Sequence, residues 1–216
     1  PIPQATVIPN FIDSDFYVYR AKLANDARRV LLIRSFDAAN YAADIAVDAI
    51  VHLLQSPLGE SLHFTVCGFG RHFRRLTLPL TGYRNVTLRE GVLSRDEMRI
   101  LHAHHGIFLA PSRHDTQGVT MCEAMASGLV PVTHRVGGIP EFVDPDCGAI
   151  AADHTPREFA RCIAELAQDL EGLGATAHDQ GRDFGRASGT GSDEVSGLGG
   201  SSGLDGGGDL GGTLGG

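Results

Sequence analysis

Between Arg29 and about Gly172, short apolar runs alternate with stretches of helical periodicity, the rhythm of βαβ units laid on a parallel sheet. Val30-Leu31-Leu32-Ile33 is continuously apolar, as a strand covered on both faces must be, and Ile45, Ala49, Ile50, Leu53 and Leu54 then recur at helical spacing. Phe64-Thr65-Val66-Cys67 reads as a second strand ended by a turn at Gly68-Phe69-Gly70, and Asn85-Val86-Thr87-Leu88 as a third.

The second half adds start and stop signals. Ser94 with Glu97 forms a capping box that opens a helix through Leu101, with Gly106 at its end before the strand Ile107-Phe108-Leu109, which Pro111 stops. A helix from near Gly118 to Gly128 leads into Val130-Pro131-Val132, a strand weakened by its internal proline. Thr155-Pro156-Arg157-Glu158 combines an N-cap, a proline at the first helical position and a capping-box glutamate, with Phe159, Ile163, Leu166 and Leu170 facing inward. The predicted fold is α/β, a Rossmann-like doubly wound parallel sheet over residues 29–187, preceded by a linker segment over 1–28. In residues 188–216 thirteen positions are Gly and no apolar periodicity remains, so that tail cannot bury enough surface to offset its ordering entropy and is predicted to be disordered.

Composition narrows the function. Lys22 is the only lysine and the formal net charge is −8, which removes the phosphate-backbone footprint of a nucleic-acid-binding protein. Cys67, Cys122, Cys147 and Cys162 have neither zinc-site spacing nor disulfide-scaffold density, and read as reduced cysteines of a cytoplasmic protein. No window reaches membrane-span length. The start at Pro1-Ile2-Pro3 reads as a piece of a longer chain.

Open α/β sheets bind ligands at the carboxyl ends of their strands, where helix N-termini offer unpaired N–H groups to anions. The loop after Ile107-Phe108-Leu109 is therefore the segment of interest. It carries Asp115, then Gly118 at a helix start, then a second acid, Glu123, eight residues after the first.

This arrangement resembles the E-x7-E motif of the large family of retaining, two-domain glycosyltransferases with the GT-B fold. The resemblance extends to Val7-Ile8-Pro9-Asn10-Phe11-Ile12-Asp13, similar to the segment joining that family's two domains. It extends also to Glu123-Ala124-Met125-Ala126-Ser127-Gly128-Leu129-Val130-Pro131-Val132 and to Val136-Gly137-Gly138-Ile139-Pro140-Glu141, all in the expected order. The resemblance implies a nucleotide-sugar substrate, a UDP- or GDP-sugar, with no permanently bound cofactor and no metal. Glu123 would hydrogen-bond the ribose hydroxyls, and the amides of Gly118, Val119 and Thr120 would cradle the diphosphate. Asp115 would support the sugar, and Gly91-Val92-Leu93 would hold the base mainly through backbone contacts, Leu93 among them. The glycan or other acceptor would be bound by an N-terminal domain upstream, through which any peripheral membrane association would also run.

Two departures matter. The first acid is Asp rather than Glu, so an N-cap or Asx turn is an alternative reading of Asp115. The family's Gly-Arg-x4-Lys-Gly element appears as Ile33-Arg34-Ser35-Phe36-Asp37-Ala38-Ala39-Asn40-Tyr41, keeping Arg34 to stabilise the leaving diphosphate but lacking the Lys. Losing that cation costs the transition state roughly 2 to 4 kcal/mol unless Arg113 or Arg135 substitutes. The expected activity is transfer of a hexose with retained anomeric configuration; a nucleotide-sugar-binding module without turnover is the second reading, and a nucleotide-sugar epimerase the third. His102, His104, His105 and His114 read as ordinary histidines rather than metal ligands, since His102 and His104 point to different helix faces.

Overall fold

The computed structural model describes residues 8–169, so Val7, Leu170 and the glycine-rich segment lie outside the described residues. Six parallel strands form one sheet in the order β3-β2-β1-β4-β5-β6, which is the doubly wound Rossmann arrangement. The strands are β1 Arg29–Ser35, β2 His63–Phe69, β3 Val86–Glu90, β4 Ile107–Leu109, β5 Val130–His134 and β6 Ala149–Ala151. Among the described residues five α-helices connect and cover them: α1 Ala43–Leu54, α2 Phe73–Thr77, α3 Arg95–Ala103, α4 Val119–Ala126 and α5 Pro156–Gln168.

Alternating side chains explain why the central strands are apolar throughout. Val30 and Leu32 of β1, with Ile107 and Leu109 of β4, enter a core shared with α1 and α5. Leu31 and Phe108 point the other way, into a second core shared with Met121, Cys122 and Met125 of α4 and with Met98 and Leu101 of α3. Each strand is thus covered twice, and a period-two strand with both faces buried needs apolar residues at every position.

The capping signals act largely as the sequence proposes. Ser94 Oγ accepts the Glu97 N–H at 3.2 Å while the Ser94 N–H donates to Glu97 Oε2 at 2.8 Å, a complete capping box. Thr155 accepts the Glu158 N–H, but Glu158 turns its carboxylate to the Ala152 N–H, so the box at α5 is only half formed. Phe159 and Ile163 of α5 are buried, whereas Leu166 is only partly so. Gly128 closes α4 in the left-handed region at φ 87°, its N–H donating to the Met125 carbonyl and the Leu129 N–H to that of Ala124.

Several details differ from the sequence reading. Helix α3 ends at Ala103, and Gly106 is not its cap; a side chain there would meet the Asp26 carbonyl at 2.6 Å, so it serves close packing instead. Pro131 does lie inside a strand. Its neighbour Val130 donates to Gly106 on the β4 side, so the missing N–H of Pro131 faces the β6 side, where pairing begins only at Val132. Helix α2 and strand β6 carried too few periodic residues to be foreseen. Residues before β1 are packed onto the domain: Ile12 and Tyr17 are buried, and Arg95 of α3 bridges to Asp13 at 2.8 Å while lying over the Phe16 ring.

Candidate functional site

In this strand order the chain reverses direction across the sheet between β1 and β4, leaving a crevice at their carboxyl ends. A cavity of about 440 Å³ occupies it, lined from β1 by Ile33, Arg34 and Ser35, and from the loop after β4 by Asp115 and Thr116. The first turn of α4 contributes Gly118, Val119 and Thr120, and the segment after β3 contributes Gly91, Val92 and Leu93. Arg34, Asp115, Gly118, Val119 and Thr120, together with Gly91-Val92-Leu93, all singled out from the sequence, therefore come together around one space.

Glu123, also singled out, is not among the residues lining it. Glu123 lies one turn further along α4, at helical spacing that places it on the same face as Val119 and Thr120. It is half-buried, and burial raises its carboxyl above the ordinary range, opposed by Tyr17 and the charge of Arg95. The buried Tyr17 hydroxyl stands close enough to Glu123 to feel its charge, yet completes a hydrogen bond of good geometry with no group among the described residues.

Arg34 is the electrostatic anomaly of the crevice. It is 7% exposed, its Nε has no hydrogen-bond partner, and no ion pair to it occurs among the described residues. Burial depresses the guanidinium's affinity for its proton, while the negative charge of nearby Asp115 supports it. An unpaired buried cation is costly unless an anion arrives to match it.

Asp115 cannot fully play that part because its oxygens are engaged. Oδ1 accepts the N–H groups of Gly118 at 2.7 Å and Gln117 at 3.2 Å, and Oδ2 accepts from Ser112 Oγ at 3.3 Å. The Asx-turn reading of Asp115 is therefore realised, and residence in the cavity is realised with it. One consequence corrects the expected diphosphate cradle: the Gly118 amide is committed to Asp115, leaving Val119 and Thr120 as first-turn donors. Gly118 itself sits at φ 71° before α4, a conformation that suits glycine.

The loop is held from behind by Gly137-Gly138. A side chain on either would come within 1.9 Å of the carbonyl oxygen of Asp115 or Thr116, and the Gly138 N–H donates to the Asp115 carbonyl at 3.1 Å. The glycine pair is a backing for the site loop rather than a wall of the cavity.

Neither arginine considered as a substitute for the missing Lys fills that place. Arg113 forms a two-pronged ion pair with Asp44, at 2.8 and 2.7 Å, and donates to the Ala39 carbonyl at 2.9 Å, so it clamps the start of α1 to the loop after β4. Arg135 is exposed and absent from the lining. Sequence reasoning overlooked Tyr41, Phe69 and Met98, which do line the cavity; Tyr41 and Phe69 stood inside motifs already singled out, but as the end of an element and as a turn. His102 and His105 are buried against Ser127, Thr65 and the Leu101 carbonyl, while His104 and His114 are exposed.

Residues 27–169 match the family described as glycosyl transferases group 1. The chain belongs to that family. Among curated members, it is 30% identical over 125 residues to a sulfoquinovosyl transferase of Arabidopsis thaliana, covering 56% of this chain and 24% of the relative. It is 29% identical over 153 residues to a D-inositol 3-phosphate glycosyltransferase of Corynebacterium efficiens, covering 65% and 35%. The chain thus spans between a quarter and roughly a third of these relatives' length. Among solved structures, the C-terminal domain of a glycosyl transferase group 1 family protein, LpcC from Francisella tularensis, superposes with a TM-score of 0.67 at 16% identity, over 82% of this chain and 97% of that one. An Anabaena protein, HepE, solved in complex with UDP and glucose, superposes with a TM-score of 0.68 at 16% identity, over 84% and 52%. The group 1 domain accordingly has the Rossmann-like fold of GT-B glycosyltransferase domains, with the crevice at its sheet reversal. Among the described residues no helix is long and apolar enough to cross a membrane.

Proposed function

We propose that this domain binds the donor of a retaining glycosyl transfer, a UDP- or GDP-linked hexose, and that the hexose passes to an acceptor held by another part of the protein. The observation that carries the reading is Arg34, a buried guanidinium without an ion-pair partner among the described residues, which opens on the cavity beside the first turn of α4. A diphosphate is the anion that such a cation and two helix-start amides suit together.

In this reading Val119 and Thr120 donate to the diphosphate, and Arg34 holds charge on the leaving group as the sugar departs. Gly91 and Leu93 contact the base, and Glu123, on the same face of α4, receives the ribose hydroxyls. Asp115 faces the sugar with the carboxylate charge that its three donors keep in place, supporting positive charge that develops at the anomeric carbon. Attack from the face of the departing phosphate retains configuration.

Calorimetry with UDP, GDP and their hexose conjugates tests the site. The parent should bind one nucleotide series, and Glu123→Ala should weaken it about tenfold or more, the value of paired hydrogen bonds to a carboxylate. Unchanged affinity would remove Glu123 from the site, and no binding of either series would sink the donor reading. Binding without turnover is the second reading; what favours it is that Arg34 is the one cationic side chain among the residues lining the cavity.

A further inference from the structure

We infer that Tyr41 is a second phosphate-binding residue of this cleft, its phenol acting with Arg34 on the β-phosphate of a nucleoside diphosphate. The inference rests on the donor reading above and deepens it.

Tyr41 and Arg34 line the same cavity, and the Arg34 guanidinium carbon lies 5.7 Å from the centre of the Tyr41 ring. That is within the range in which a ring face attracts a cation. The ring therefore gives the buried guanidinium a neighbour that supports its charge without cancelling it. A carboxylate in the same place would pair with Arg34 and close the anion site. Asp115, the nearby acid, is already occupied by two amides and a hydroxyl. A phenol O–H can donate to a phosphate oxygen while adding no charge of its own. Arg34 and Tyr41 together thus offer one cation and one neutral donor where the sequence lacks a second cation. Arg34 also feels the charge of Asp115, the residue that the donor reading sets beside the sugar.

The segment that carries Tyr41 is fixed from both sides. The Asn40 carbonyl accepts the N–H groups of Arg113 at 2.7 Å and His114 at 3.3 Å, and Arg113 also grips Ala39 and Asp44. Ala42, the next residue, takes a left-handed conformation at φ 50°, ψ 40°, the one non-glycine residue with positive φ among those described. Such a conformation is disfavoured for alanine and persists where surrounding structure imposes it. Here it turns the chain directly from a cavity-lining tyrosine into α1, so the backbone that carries Tyr41 is fixed on both sides.

The test uses the full chain and four probes, UDP, GDP, UMP and GMP, by titration calorimetry. Tyr41→Phe keeps the ring over Arg34 and removes only the hydroxyl. It should weaken the preferred diphosphate about tenfold and leave the matching monophosphate within twofold. Tyr41→Lys should restore diphosphate affinity, because an ammonium supplies a donor and a charge at the same place. The ³¹P resonance of the bound β-phosphate should move in Tyr41→Phe while that of the α-phosphate stays. Diphosphate affinity unchanged in Tyr41→Phe would overturn the inference and leave the donor reading standing. Equal weakening of mono- and diphosphate would also overturn it, since a general disturbance of the cleft would then be at work. A parent chain that binds neither diphosphate would overturn both.

Discussion

Asn10 and Gln117 hold each other through three hydrogen bonds: the Asn10 N–H and Nδ2 both donate to Gln117 Oε1, at 2.7 and 3.0 Å, and Gln117 Nε2 donates to the Asn10 carbonyl at 3.0 Å. One partner belongs to the segment before the domain, and the other immediately precedes Gly118 at the start of α4. Whatever moves the first segment therefore pulls on the loop that holds Asp115. A double-mutant cycle with Asn10→Ala and Gln117→Ala should return a coupling of roughly 0.5 to 1 kcal/mol in urea unfolding, since only the Nδ2 bond joins the two side chains, while Gln117→Ala alone should cost more because it also removes both bonds to the Asn10 main chain. Amide hydrogen exchange at residues 118–120 should quicken in both single variants. Additive stabilities with unchanged exchange would show that the two segments are not linked.

The buried histidines set the acid limit of the fold. Burial pushes His102 down to about 3 and His105 down to about 4, both far below the ordinary imidazole value. The unfolded chain therefore binds more protons than the folded one between about pH 4 and 6.5, and stability must fall as pH drops through that window. Each residue should contribute a loss of roughly 1 to 2 kcal/mol by pH 5. Urea unfolding at pH 7.5 and pH 5 checks this, with His102→Gln expected to show about half the parent's loss. A pH-independent midpoint above pH 5 would contradict the buried, neutral state of both rings.

The route from sequence to site was readable where a residue's role is local. Ser94 with Glu97, Gly128, and the apolar runs of β1 and β4 declare themselves through caps and periodicity, which depend on neighbours a few positions away. Asp115, Gly118, Val119 and Thr120 could be placed because a strand end leading into a helix start is a local pattern with a fixed location in an open sheet. Arg113 shows the limit. Its partner Asp44 lies 69 residues away, and nothing near either residue reveals that the guanidinium is already paired. Gly118 shows another: its amide was expected to be free, but the side chain three residues earlier takes it. Tyr41 and Phe69 face the cavity only because the sheet reverses between β1 and β4, a relation between strands that no single segment encodes.

The glycine pair behind the site permits a test that separates backbone support from contact chemistry. An added methyl at Gly137 would stand 1.9 Å from the Asp115 carbonyl oxygen, and at Gly138 the same distance from that of Thr116. Neither backbone atom can yield without moving the loop. Gly137 also sits at φ 55°, which adds strain for alanine. Gly137→Ala and Gly138→Ala should each destabilise the domain by roughly 2 to 4 kcal/mol and weaken nucleoside diphosphate binding, although neither glycine lines the cavity. Calorimetry and thermal unfolding of both variants give the two numbers. Full affinity in a folded variant would mean that the loop tolerates displacement and that Asp115's position is not critical.

Arg34 should show opposite effects on stability and binding. Its guanidinium is buried and, among the described residues, lacks an ion pair and has an unpartnered Nε, so without an anion beside it the charge is a net cost to folding. Methionine has comparable reach and no charge, and fills the same space beside Ile33 and Tyr41. Arg34→Met should therefore unfold at higher urea, with a gain of roughly 1 to 3 kcal/mol, while losing diphosphate affinity by about a hundredfold. Saturating diphosphate should then raise the melting temperature of the parent but not of the variant, because a ligand stabilises only the state it binds. A less stable variant would mean that Arg34 is satisfied within the fold. Retained affinity would mean that some other group holds the anion.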